Sequence, residues 1–93
     1  MIRSFKNALT EAVFDGGVPK GFPSNIVKIA RRKLEAVNAA ETLTDLRSPP
    51  GNRLHALGGD RQDAYAIRIN DQYRVCFVWR IDGPHEVEIV DYH

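Results

Sequence analysis

The sequence predicts an α+β fold in which two N-terminal helices pack on a mainly antiparallel β-sheet of about five strands. Apolar residues recur at helical spacing in the N-terminal half, whereas the C-terminal half contains short alternating runs rich in β-branched and aromatic residues. Ser48-Pro49-Pro50-Gly51-Asn52 separates the two halves, because such a stretch cannot continue a helix. A chain of 93 residues, of which 43% are hydrophobic and 27% charged, has the size and composition of one globular domain, residues 1–93.

The chain is predicted to begin with a short strand and a short helix. Residues 1–5 alternate as a strand does, and residues 8–14 place apolar side chains at helical spacing. Asp15-Gly16-Gly17 follows and is predicted to end this first helix.

A second, longer helix is predicted from an N-cap at Pro23-Ser24 to about Ala40. Its apolar stripe consists of Ile26, Ile29, Ala30, Leu34 and Val37. Its polar side carries the cations Lys28, Arg31, Arg32 and Lys33. Such a basic surface either faces a polyanion or is simply the solvated side of the helix.

The C-terminal half is predicted to form four strands joined by short turns, which makes an antiparallel meander. The predicted strands are Arg53–Leu57, Tyr65–Ile69, Tyr73–Trp79 and Glu86–Asp91. One face of the sheet is predicted to receive the helices through apolar residues spaced two apart: Ile67, Ile69, Val75, Phe77, Val87 and Ile89. The opposite face carries Arg68 and Arg74.

Charge and composition limit the possible partners. The formal charge of +1 is too balanced for nucleic-acid binding by bulk electrostatics, so any RNA contact must come from a local patch. Cys76 is the single cysteine, and its apolar neighbours indicate the interior of a strand rather than a reactive thiol. Because the sequence contains neither a bilayer-spanning apolar run nor a signal-peptide pattern, we expect a cytoplasmic protein without membrane contact.

Three residues at the end of the last strand, Asp91, Tyr92 and His93, bring together an acid, a phenol and an imidazole. They are either a polar tail that follows a core strand or part of a catalytic site. His55, in the first strand of the meander, is either a hydrogen-bonded structural histidine or a second imidazole of that site. His85 follows a turn and is expected to be an exposed turn residue.

These residue types suit metal-free RNA cleavage. That reaction requires a base for the 2′-hydroxyl proton, an acid for the departing 5′-oxygen and cations for the charge that gathers on the phosphate. His55 and His93 suit the proton transfers because imidazole titrates near neutral pH. Arg68 or Arg74 suits the phosphate through its planar guanidinium, and Tyr92 could stack a base or relay a proton. The sequence has no Gly-rich phosphate loop, nucleophile elbow or zinc-spaced Cys/His set, so we expect neither a cofactor nor a metal.

Several separated segments stand in the order found in a known protein family. They are Met1-Ile2-Arg3-Ser4-Phe5, Pro50-Gly51-Asn52-Arg53-Leu54 followed by Gly59-Asp60-Arg61, Ala66-Ile67-Arg68-Ile69-Asn70, and Val90-Asp91-Tyr92-His93. Through these segments the chain resembles, over essentially its whole length, the HigB branch of the RelE/ParE superfamily, also called the plasmid-maintenance killer proteins.

The resemblance implies a RelE/ParE-like fold and a ribosome-dependent mRNA endonuclease, a toxin that inhibits translation. It also implies a partner antitoxin with a helix-turn-helix fold, through which alone the pair would bind operator DNA. By position, the family's catalytic residues fall on His55, Asp91, Tyr92 and His93, and its phosphate-binding arginine falls on Arg74.

One position departs from the family pattern. Gly58 stands where some relatives carry a lysine, so a cation near the RNA is either missing or supplied by Arg61. Ribosome dependence fits the near-neutral charge, because the ribosome would orient both the message and the enzyme. The basic helix from Lys28 to Lys33 is then the candidate ribosome-docking face.

Two other functions compete with this interpretation. A ParE-like toxin would bind DNA gyrase without catalysis, but such a binder has no need of paired imidazoles. A regulatory protein could act only inside a DNA-binding complex with its partner, but this chain has no helix-turn-helix pattern of its own.

Overall fold

A computed structural model, which describes residues 1–92, has two helices packed on one face of an antiparallel sheet. The helices are α1 (Ala8–Phe14) and α2 (Val27–Ala39). The strands follow in chain and spatial order as β1 (His55–Ala56), β2 (Ala64–Arg68), β3 (Tyr73–Arg80) and β4 (Gly83–Asp91). All three neighbouring pairs are antiparallel, so the predicted α+β fold and meander are confirmed.

The predicted strand at residues 1–5 is reduced to a single parallel bridge between Phe5 and Val87. The segment follows β4 through backbone bonds such as Lys6 N to Val87 O at 2.9 Å. It then leaves the sheet because Asn7 caps α1, its side-chain oxygen accepting from the Thr10 N–H at 2.9 Å. The sheet described for residues 1–92 therefore has four strands rather than five.

The helices lie close to their predicted positions. The bounds predicted for α1 are confirmed, and its C-cap is Asp15. The predicted N-cap of α2 is wrong: a 3₁₀ turn, Ser24–Ile26, precedes this helix, and neither the turn nor α2 has a side-chain cap at its start. The predicted apolar stripe points inward as expected, with Leu34 fully buried.

The connection between α2 and β2 is less regular than the sequence suggests. Two 3₁₀ helices, Leu43–Arg47 and Pro50–Asn52, occupy it, and the strand predicted over Arg53–Leu57 shrinks to the two residues of β1. The strand starts late because Arg53 takes the left-handed backbone conformation, with φ of 48°.

Each face of the sheet has a distinct environment. On one face Ile67, Val75, Phe77 and Val87 are buried against the helices. The other face, here called the open face, carries two rows of directly paired residues, because paired side chains project to the same side. One row is His55, Ala66, Cys76 and Glu88, and the next is Arg68, Arg74 and Val90.

Neither α1 nor α2, nor any 3₁₀ turn among residues 1–92, combines the length and apolar character that a membrane-spanning helix needs.

Candidate active site

Arg74 and Tyr92 meet at the end of the sheet where β4 finishes. The guanidinium carbon of Arg74 lies 5.4 Å from the centre of the Tyr92 ring, within the range of a cation–π interaction. Arg74 Nη1 also donates to the backbone oxygens of Asn70 at 2.6 Å and Tyr73 at 3.2 Å. The ring of Tyr92 is half exposed, so it can still stack on a ligand.

The β2–β3 turn holds the end of β4 in place. The Asn70 side-chain oxygen accepts from the backbone N–H groups of Gln72 and Tyr73 at 2.9 and 2.8 Å, which closes the turn. Gln72 then reaches the C-terminal strand twice. Its carbonyl accepts from Tyr92 N at 2.5 Å, and its side-chain amide donates to Asp91 Oδ2 at 3.2 Å.

Arg68 stands directly opposite Arg74 in the ladder between β2 and β3. Two cations facing each other repel, and the structure offsets this with a carboxylate: Arg68 Nη2 forms an ion pair with Asp71. The Arg68 side chain keeps 29% of its surface exposed. Two arginines are therefore paired on the open face, and a planar guanidinium is suited to binding phosphate.

His55 lies on β1, at the opposite edge of the sheet from Tyr92. Its pairing with Ala66 puts it on the open face, where it is exposed rather than half-buried. Two strands intervene between β1 and β4, so their backbones are about 14 Å apart at the usual interstrand spacing. The structure thus places His55 on the same face as Arg68 and Arg74 but not in contact with Asp91 or Tyr92.

The ring contact of His55 identifies its neutral tautomer. Nδ1 lies 2.9 Å from the carbonyl oxygen of Arg53. A carbonyl can only accept, so Nδ1 carries the proton in this contact, and Nε2 of the neutral ring has a free lone pair. The side chain is therefore oriented to accept a proton through Nε2.

His85 differs from its prediction as an exposed turn residue. It lies inside β4, it is half-buried, and its Nε2 lies 2.7 Å from Asp82 Oδ1. This hydrogen bond, more than any other contact, holds the pKa of Asp82 below its ordinary value. His85 therefore has a local structural partner at the β3–β4 turn, away from the C-terminal end of β4.

Arg61 and Cys76 share the middle of the open face. Arg61 is exposed on the loop between β1 and β2, and Cys76 is buried in β3, as predicted for a strand interior. Burial raises the pKa of the Cys76 thiol, and the charge of Glu88 raises it further. Arg61, Lys6 and Arg74 act in the opposite direction. These groups therefore lie near one another around the thiol.

The basic side of α2 is less uniform than predicted. Lys28 and Arg32 are exposed, but Arg31 donates to Val13 O and Gly17 O, both at 2.7 Å. Lys33 donates to the side-chain oxygen of Asn52. The prediction that all four cations spread over the exposed surface is therefore wrong for Arg31 and Lys33, which are half-buried.

Lys33 nevertheless lies close to other positive charge. Partial burial lowers its pKa, and the charges of Arg32 and Arg68 lower it further. The cations Arg32 and Arg68 therefore both lie near the Lys33 ammonium.

The remaining predicted site residue, His93, lies outside the described residues. Within residues 1–92, no three His, Cys, Asp or Glu side chains are grouped so that they could hold a metal ion. Sequence reasoning did not identify Asn70 and Gln72 as site residues. Their only signal in the sequence is the segment Asn70-Asp71-Gln72 between two predicted strands, whose residue types are typical of a turn.

Comparison with known proteins identifies the relatives of this chain. Residues 3–93 match the family described as the RelE-like toxin of type II toxin-antitoxin system HigB. Toxin HigB-1 of Vibrio cholerae is 48% identical over 61 residues, which are 66% of this chain and 63% of that protein. An uncharacterized protein of Haemophilus influenzae is 42% identical over 68 residues, or 73% of this chain and 65% of that protein.

A more distant relative aligns completely. Endoribonuclease HigB of Proteus vulgaris is 29% identical over 93 residues, which cover the whole of both chains. The matches to the Vibrio and Haemophilus proteins, in contrast, span slightly less than two thirds of the length of each.

Proposed function

The chain belongs to the HigB-like family of RelE-like toxins of type II toxin-antitoxin systems, and from this premise we propose that it is a ribosome-dependent mRNA endonuclease that inhibits translation by metal-free acid–base cleavage. One observation carries the proposal: Arg68 and Arg74 are directly paired on the open face of the sheet, with the ring of Tyr92 against Arg74. Paired guanidiniums suit a phosphate, and an adjacent half-exposed ring suits a base.

The proposed reaction transfers one proton at each side of the phosphate. A base removes the 2′-hydroxyl proton while the 2′-oxygen attacks phosphorus. The bond from phosphorus to the 5′-oxygen breaks, and an acid protonates that oxygen. The products are a 2′,3′-cyclic phosphate and a free 5′-hydroxyl, so no outside reactant is consumed.

The positions of the strands support an assignment of roles. Arg68 and Arg74 belong to the two central strands, while His55 belongs to one edge and Tyr92 follows the other. A phosphate on the arginines would lie between the two edges, so groups could approach it from opposite sides, as displacement at phosphorus requires. In this proposal His55 Nε2 is the base, and His93, which the family resemblance makes a catalytic residue, is the acid.

Other residues would bind the RNA or position the catalytic residues. Arg74 and Arg68 would stabilise the charge that gathers on the phosphate oxygens. Asp91 would help to position the end of β4 through its contact with Gln72. Arg61, exposed on the neighbouring loop, would supply the further cation near the RNA.

The proposed partners follow from the family. Type II systems pair a toxin with an antitoxin, and we propose a helix-turn-helix antitoxin that alone carries the complex to operator DNA. The ribosome with its bound message is the second partner, which requires a cytoplasmic location. Lys28 and Arg32 are the exposed cations of α2 that could meet ribosomal RNA.

The proposal is tested in a reconstituted translation reaction that contains a translated message and one without a ribosome-binding site. Wild-type protein should produce new 5′ ends only on the translated message, and His55→Ala and His93→Ala should each reduce the cutting at least about 100-fold. Toxicity in cells without such cuts would favour the gyrase-binding alternative. Cutting of both messages at equal rates would exclude ribosome dependence.

A sulfur substitution tests the metal-free mechanism separately. A message with a phosphorothioate at the cut site should be cleaved no faster when Mn²⁺ is added. A thiophilic metal that restores the rate would mean that a metal contacts the phosphate.

A further inference from the structure

A cleft of about 270 Å³ opens on the open face of the sheet, where it is lined by Cys76, two residues from Arg74 in β3. Its floor consists of small or apolar side chains, including Ala64, Cys76 and Val78. The loop between β1 and β2 forms one wall, and Lys6 with Glu88 forms the other. Its volume lies just below the range of about 300–1,000 Å³ for ligand pockets, which suits a flat ring and not a large ligand.

The charges on the walls of the cleft balance. The described lining residues include three carboxylates and three cations: Asp60, Glu86, Glu88, Lys6, Arg61 and Arg80. A free phosphate would meet as much repulsion as attraction there. A neutral ring with both hydrogen-bond donors and acceptors on its edge would find partners of both kinds, and nucleobases have such edges.

The distance to the arginine pair matches one nucleotide. Arg74 and Cys76 are two residues apart in β3, so both side chains project from the open face about 7 Å apart along the strand. The sugar of a single nucleotide spans such a distance between its phosphate and its base. A message held by Arg74 at one phosphate therefore has a base within reach of the cleft.

We propose that this cleft binds the nucleobase of a nucleotide adjacent to the cut phosphate and that Glu88 contacts its hydrogen-bonding edge. The inference rests on the proposed RNA cleavage and adds a subsite that sets base preference. An apolar floor beneath the ring and polar groups at its edge are what recognition of an unstacked base requires.

Glu88 lines the cleft beside Lys6. Its side chain retains 16% of its surface exposure and lies 3.5 Å from Lys6 Nζ, a distance longer than a close hydrogen bond. The carboxylate can therefore accept from an exocyclic amino group of a base, while Lys6, 48% exposed, moves to donate to a ring nitrogen or carbonyl.

The test uses translated messages in which the codon at the cut site is randomised, with the cut products sequenced. Glu88→Gln should change the base preference at one position next to the cut by at least about tenfold, since an amide both donates and accepts where the carboxylate only accepts. Glu35→Gln, an equal change on the exposed side of α2, should leave the preference as in wild type.

A second pair of variants tests whether the empty volume of the cleft is needed for cutting. Cys76→Leu places a larger side chain in the cleft and should reduce cutting at the preferred sequence about tenfold or more. Cys76→Ala leaves the cleft open and should retain most of the wild-type cutting rate. Circular dichroism and thermal melting establish that each variant is folded. If Cys76→Leu does not fold, the base preference of Glu88→Gln still tests the proposed subsite.

The outcomes separate the subsite from the overall function. Wild-type protein that cuts messages, together with a Glu88→Gln profile identical to the wild-type profile, overturns the subsite and leaves the nuclease intact. Wild-type protein that cuts no message overturns the proposed function instead.

Discussion

Arg74 reaches Tyr92 across the end of the sheet, with its guanidinium carbon 5.4 Å from the ring centre, while its Nη1 donates to the backbone oxygens of Asn70 and Tyr73. The contact fixes a planar cation beside an exposed aromatic ring. It also joins a residue of a central strand to the chain that follows the edge strand.

Replacing Arg74 with lysine should reduce message cleavage at least about tenfold, although the charge is kept. Lysine cannot bind the turn carbonyls and present a second donor edge to phosphate, because it lacks the planar fork. The loss of a donor to developing charge commonly costs about 100- to 1,000-fold in rate. Rates are measured under single-turnover conditions. Arg3→Lys, at the far end of β4, is the matched control, and equal rates for both variants would remove Arg74 from the site.

Two substitutions at Tyr92 distinguish its ring from its hydroxyl. Tyr92→Ala should lower cleavage about 5- to 150-fold, the range expected for one lost base-stacking contact. Tyr92→Phe retains the ring over Arg74 and should stay within about threefold of wild type if stacking is its role. A phenylalanine variant as impaired as the alanine variant would instead assign a proton-relay role to the hydroxyl.

Neighbouring arginines on α2 should respond differently to charge reversal. Arg32→Glu should weaken co-sedimentation with ribosomes and leave the free energy of unfolding nearly unchanged, because Arg32 is exposed. Arg31→Glu should reduce the free energy of unfolding by about 1.5–3 kcal/mol, because it loses its bonds to Val13 O and Gly17 O. Unaltered sedimentation of Arg32→Glu would exclude α2 as the docking face.

Thr10 should contribute to stability through its hydroxyl group rather than its methyl group. It is fully buried, and its Oγ1 accepts from the Ile89 N–H at 2.9 Å, which ties α1 to β4. Thr10→Val leaves that N–H without its acceptor and should cost about 1–3 kcal/mol in a urea titration. Thr10→Ser keeps the hydroxyl and should reduce the free energy of unfolding clearly less. Similar losses in both variants would contradict a role for the hydrogen bond.

Asp45 should make stability depend on pH in the acid range. Its carboxylate accepts from the backbone N–H groups of Thr42 and Glu41, and these bonds hold its pKa below the ordinary value of 3.8. A lowered pKa in the folded state means that the ionised form stabilises the fold. This contribution is complete well above pH 3.8 and is lost as the pH falls through the lowered value.

Asp45→Asn should therefore melt at a lower temperature than wild type at neutral pH, and the difference should shrink as the pH falls below 3.8. Glu35→Gln is the control for the loss of one negative charge. A melting difference that stays constant across the acid range would show that ionisation of Asp45 does not stabilise the fold.

The elements of the fold follow from local patterns that the sequence already contains. The helical stripe ending at Val37 and the alternation through Val75 and Phe77 predict α2 and β3, because helix and strand periodicity depend only on neighbouring residues. The predicted boundaries of elements are wrong where a single backbone angle or a helix cap sets the first residue of the element. Arg53 in the left-handed conformation shortens β1, and the 3₁₀ turn at Ser24–Ile26 delays α2.

The residue types of the candidate site were also predictable, but their neighbours were not. Sequence reasoning identified His55, Arg68, Arg74 and Tyr92 from the chemistry of their side chains and a family resemblance. It could not show that Arg68 and Arg74 are paired, because that depends on the register between two strands. Nor could it assign the His55 tautomer, which depends on the backbone oxygen of Arg53.

The sequence by itself determined the fold class, the buried face of each element and the supply of imidazoles, guanidiniums and a phenol. Tertiary structure alone decided which cations remain exposed, since Arg31 and Lys33 are engaged by groups distant along the chain. It also decided that a cleft forms over Cys76. Local patterns specify which way a side chain points, whereas contacts between elements depend on register, packing and turn geometry that only the whole fold provides.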